Sequence, residues 1–116
     1  MNLNEYQKLA ARTINTDLFT FEKIMHALHG MSAELGEIHG IYQKNYQGHE
    51  LDLEHIKKEV GDLLWFIAEF CTANEKQFGG DWSLENIATM NIEKLKARYP
   101  EGFDAEHSLH RKAGDI

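Results

Sequence analysis

Two short strings share one pattern: Glu34-Leu35-Gly36-Glu37 and Glu59-Val60-Gly61-Asp62, each an acid, an aliphatic residue, a glycine and an acid. On a helix, acids three apart project from one face and can share a cation. Spacing alone is weak: three acid pairs have it, the third being Glu101/Asp104, and about three are expected by chance in a chain this acidic. Context separates the first two pairs from the third. Both are interleaved with apolar positions, Met31, Leu35 and Ile38 in one string and Ile56, Val60, Leu63 and Phe66 in the other. An unpaired charge beside a buried stripe is expensive. Each also encloses a glycine, which leaves room for another helix or a ligand.

The elements around the strings decide whether they meet. Apolar residues at Phe21, Ile24, Met25, Leu28, Met31, Leu35, Ile38 and Tyr42 step by three and four, predicting a helix over 21–46. Gly30, Gly36 and Gly40 interrupt it at a cost in propensity that something else must offset. Residues 47–51 form a turn around Gly48, Asp52 is an N-cap, and a helix over 53–78 follows. The two motifs are centred on Gly48. A chain reversal there, with the helices antiparallel, brings Glu34, Glu37, Glu59 and Asp62 level, and a slip of two residues displaces them by only about 3–6 Å. Four facing carboxylates must take up protons or hold cations. An all-oxygen set with no Cys or His at matching positions suits Mg²⁺ or Mn²⁺ rather than zinc.

Two further helices complete an all-α, four-helix, bundle-like domain. The first covers 3–14, with Asn2 and Glu5 spaced as a capping box. The last is capped by Ser83 and runs to Arg98, where Pro100 and Gly102 end it. Residues 1–100 form the single domain, and the polar stretch 101–116 is a tail with freedom to move. The third helix is apolar around more than half its circumference, so it must be covered from more than one side. That predicts a homodimer or homotetramer.

At 116 residues there is room for one core. The 19 acidic residues against 12 basic give a net charge of −7 without any basic run, which excludes gripping a nucleic-acid backbone. Phosphates remain accessible to an acidic protein when a metal ion stands between the two. The one cysteine, Cys71, lies in an apolar helical stretch and reads as an inert buried thiol. The start lacks the apolar segment of a signal peptide, and no apolar run spans a bilayer, so no membrane role and a cytoplasmic location are expected.

The paired motifs on successive helices resemble the metal motif of the MazG-type all-α nucleotide pyrophosphohydrolases. Tyr6-Gln7 and Arg12-Thr13 look like that family's first helix. The string from Glu59 to Trp65 is close to its most recognisable segment, and Asn91-Ile92-Glu93-Lys94-Leu95 through Arg98-Tyr99-Pro100 is similar to the one that follows. The resemblance implies a magnesium-dependent enzyme that cleaves between the α and β phosphates of an NTP or dNTP, giving the monophosphate and pyrophosphate. Glu34, Glu37, Glu59 and Asp62 would match the ligands, with Asn91, Lys94 and Arg98 contacting phosphate from one helix face. Arg111, in a tail similar to that of phage-type members, would also reach phosphate. Nucleotide-pool house-cleaning fits such an activity.

Other residues carry weaker signals. Trp65 and Phe66, directly after the second motif, are the aromatics best placed to meet a nucleobase, although their spacing also fits core packing. His26/His29 and His107/His110 have metal-compatible spacing but no completing ligands, and read better as hydrogen-bonded or exposed histidines. The absence of any Glu-x-x-His string argues against a di-iron bundle. Two alternatives stand beside the enzyme: a non-catalytic helical module of the same fold, and a biosynthetic phosphoribosyl-ATP pyrophosphatase.

Overall fold

The computed structural model describes residues 1–110 and contains five helices: α1 (Leu3–Ala11), α2 (Thr20–Tyr46), α3 (Leu53–Phe78), α4 (Leu84–Arg98) and α5 (Ala105–Leu109). No strand occurs among the described residues, and the class is all-α as expected. An N-cap side chain starts three of the four long elements. Asn2 Oδ1 accepts from the Glu5 N–H at 2.9 Å, while the Glu5 carboxylate accepts from the Asn2 N–H in return, a reciprocal capping box. Asp52 accepts from the His55 N–H at 3.0 Å, and Ser83 from that of Asn86 at 3.2 Å. At the head of α2 the Glu22 side chain accepts from the Phe19 N–H at 2.8 Å.

Two boundaries depart from the sequence reading. The first helix stops at Ala11 rather than near residue 14. The Thr13 hydroxyl donates to the Ala10 carbonyl at 2.7 Å, and the amides of residues 12–14 bond three residues back instead of four. A local side-chain bond of this kind competes with the helical ladder. A fifth helix, α5, also forms within the segment read as tail, capped by Asp104, which accepts from the Glu106 N–H at 2.9 Å.

The longest packing seam joins α2 to α3, which fold back on each other across the turn at Gly48. Its φ of +102° favours a residue without a Cβ. At Gly30 an added Cβ would collide with the Phe66 ring, so the missing side chain here makes room for that ring. Gly36 and Gly61 behave differently: their Cβ positions open onto empty space, and neither serves a close approach within the chain. On its other side α3 is covered by α1. Ala10, Ala68, Cys71 and Leu84 form the buried cluster there, with Tyr6, Trp65, Ile67, Phe70 and Trp82 packed around it.

Helix α4 docks chiefly on α1, with Leu84 in the apolar cluster and polar contacts around it. Gln7 is buried, with its Oε1 accepting from the Leu84 N–H at 2.8 Å and its Nε2 donating to the Trp82 carbonyl at 3.1 Å. Asn4 pairs with the backbone and side chain of Glu85. Much apolar surface stays uncovered, including Phe21, Leu35, Val60, Met90 and Ile92, each at least half exposed or nearly so.

Candidate functional site

The hairpin register places the acidic strings opposite each other. Glu34, Glu59 and Asp62 each offer a carboxylate oxygen, and these atoms lie within 4.8 Å of one another. Glu37 joins the group through a hydrogen bond with Glu59. Glu34 and Glu59 are partly buried, Glu37 and Asp62 exposed, so the cluster sits at the mouth of the seam.

The electrostatics are those of like charges held together. Glu34 is pushed up to about 7, first by the hydrogen bond it shares with Glu59, then by burial and by the charges of Glu37, Glu59 and Asp62. Glu37 is raised by its own hydrogen bond to Glu59 and by that residue's charge. Glu59 moves the other way, because it accepts from Glu34 and Glu37 and has His55 beside it. Its Oε1 lies 3.1 Å from His55 Nε2. One carboxylate thus keeps its charge by having its neighbours protonated. Even so, Glu34 Oε2 and Glu59 Oε2 are buried without a hydrogen-bond partner. Two orphaned carboxyl oxygens within a cluster of acids form an arrangement that a cation would complete.

The residues flanking the cluster include some that the sequence did not single out for this role. The Tyr6 hydroxyl is raised by burial and, second, by the charge of Asp62. His55 is one turn before Glu59 on the same face, a spacing visible in the sequence. Trp65 donates its indole N–H to Thr13 Oγ1 at 2.7 Å, which ties the ring to the end of α1. It meets Phe66 edge-on at 5.1 Å between centroids.

Other candidates lie elsewhere. Asn91 and Lys94 are exposed on α4, away from the α2–α3 seam, and Arg98 is half-buried with its guanidinium 5.9 Å from the Tyr99 ring centroid. Arg111 is outside the described residues. Among the histidines, His26 bonds to Glu69, while His107 and His110 pair with Asp104 and Glu106. Among the described residues none of them joins a metal-type cluster.

No helix among the described residues is long and apolar enough to cross a membrane. Comparison with curated proteins and with solved structures gives no match. The profile of the MazG nucleotide pyrophosphohydrolase domain matches residues 19–103, from the head of α2 past the end of α4. That span contains both acidic strings and the turn that brings them together, and the chain belongs to the MazG nucleotide pyrophosphohydrolase family.

Proposed function

We propose that this chain hydrolyses an NTP or dNTP to the monophosphate and pyrophosphate in a Mg²⁺-dependent reaction, with Mn²⁺ able to substitute. The observation that carries the reading is the convergence of Glu34, Glu59 and Asp62 on one point, with two of their oxygens buried and unpartnered. Glu34, Glu37, Glu59 and Asp62 would hold the cation, and the hard all-oxygen set fits Mg²⁺. When bound, the ion supplies charge neutralisation for the triphosphate and for the departing pyrophosphate.

The chain's own residues do the rest. Glu34 or Glu37 would accept the proton of the attacking water. Within one chain Asn91, Lys94 and Arg98 lie away from the seam, so they and Arg111 would contact phosphate across a subunit interface, while Trp65 and Phe66 would line the nucleobase side. Phosphoryl chemistry of this type depends on positioning and electrostatics rather than on a covalent enzyme intermediate. The exposed apolar positions on α2, α3 and α4 support assembly as a homodimer or homotetramer. A cytoplasmic role in cleaning the nucleotide pool suits the activity.

The test is pyrophosphate release from each common NTP and dNTP with Mg²⁺, with and without chelator. Chelation should abolish release. Absence of release from every substrate, using protein shown to be folded, overturns the reading.

A further inference from the structure

The α2–α3 seam holds a second polar pair that the carboxylate chemistry does not use. His26 Nδ1 lies 2.7 Å from Glu69 Oε1. The Glu69 side chain has no exposure, whereas that of His26 is 47% exposed. With Glu69 Oε1 as acceptor, Nδ1–H donates to it, and the contact sets the orientation of the ring. Nε2 is the nitrogen left for a ligand. Glu69 Oε2 is buried without a partner, so among the described residues His26 is the polar contact that accounts for this buried acid.

The pair also occupies a particular level. The carboxylates form one layer of the seam, Gly30 against Phe66 the next, and His26 against Glu69 the third. His26 precedes Glu34 by eight residues and Glu69 follows Asp62 by seven, about 10–12 Å of helical rise. That separation matches the reach from an α-phosphate to the far edge of its base. The His26 ring meets Phe66 edge-on at 5.6 Å and Trp65 at 6.4 Å. Aromatic edges beside one oriented polar atom are groups that can meet a flat ligand.

We propose that His26, held by Glu69, contacts the nucleobase of the nucleotide whose phosphates lie at the carboxylates, with Nε2 accepting a hydrogen bond from an amino or imino group of the base. The identity of the ligand rests on the nucleotide reading above. Glu69 is a positioning residue that acts through the imidazole.

Calorimetric binding of the common ribo- and deoxyribonucleoside 5′-monophosphates in Mg²⁺ reads this subsite without turnover. In His26→Asn the amide reaches only the Nδ1 position, keeping the Glu69 bond and removing Nε2. In His26→Gln the amide overlaps Nε2. The wild type should prefer one base, and His26→Asn should weaken that base by about 10- to 100-fold while the others bind as before. His26→Gln should recover part of the loss, and Glu69→Gln should give the same pattern more mildly. A thermal melt checks folding, and His26→Gln decides should His26→Asn not fold. Equal weakening across all bases, an unchanged preference, a preference that follows only the sugar, or none in the wild type overturns the assignment. If pyrophosphate is never released yet base preference falls in His26→Asn, the hydrolase reading fails and the nucleobase contact stands. If turnover is robust and base preference ignores His26, the reverse holds.

Discussion

Gln7 on α1 and Glu34 on α2 are both polar side chains turned toward the protein, and their surroundings are opposite. The amide of Gln7 bonds at both ends, to the backbone of Leu84 and Trp82, with Thr72 Oγ1 also near at 3.4 Å. It caps the start of α4 from another helix, and little remains unsatisfied. Glu34 faces three other acids and buries an oxygen with no partner. The first arrangement lowers the energy of the fold. The second raises it unless something else binds, because a buried polar atom left unpaired costs about 1–3 kcal/mol. Regions that complete themselves are structural, and regions that stay incomplete mark where a ligand belongs.

That contrast can be broken at either end. Glu59→Gln removes the central acceptor of the cluster, and pyrophosphate release should fall by about 100-fold or more while the thermal midpoint in chelator holds or rises. Gln7→Ala should do the opposite, costing about 2–4 kcal/mol in chemical denaturation with turnover per folded molecule retained. Equal effects of the two substitutions on activity would erase the distinction. Gly30→Ala forces a methyl against the Phe66 ring and should cost about 1–3 kcal/mol, whereas Gly36→Ala, with open space at its Cβ, should be neutral or slightly stabilising by the same measurement.

The smallest expected effect is on pH. Glu34 is raised from 4.5 to about 7, so the folded chain holds this proton more tightly than the unfolded one. Its contribution to stability is complete below about pH 4.5 and is lost as pH rises through about 7. Glu59 is shifted the other way, and its contribution is lost only as pH falls below the ordinary carboxylate range. Between pH 5 and 8 the thermal midpoint of metal-free protein should therefore drop by a few degrees. Added Mg²⁺ should raise it more at pH 8 than at pH 5. An equal shift at both values would show that the ion does not bind at these acids.

What could be read from the chain alone was whatever local chemistry or simple periodicity controls. Asn2, Asp52 and Ser83 cap helices where their residue types require it, and the symmetry of the acidic strings about Gly48 foretold their meeting. The misses are tertiary. Nothing in the spacing of Gly36 and Gly61 distinguished them from Gly30, because the distinction is the Phe66 ring across the seam. Glu69 went unremarked in an apolar run, although it sits nearly as far past Gly48 as His26 sits before it, the same reflection that pairs the acids. The end of α1 depended on one Thr hydroxyl bond. The docking of α4 on α1 rests on amide side chains whose partners are some 80 residues away in sequence, as in Asn4 with Glu85, and no helical period encodes that.

The buried position of Cys71 gives the protein an internal clock. It is the chain's one thiol, and it is almost fully enclosed in the packing of α1, α3 and Leu84. Burial also pushes its ionisation upward, which suppresses the thiolate that alkylating reagents require. Modification in native buffer therefore has to wait for the helices to part, and the labelling rate counts those openings directly, with no engineered probe.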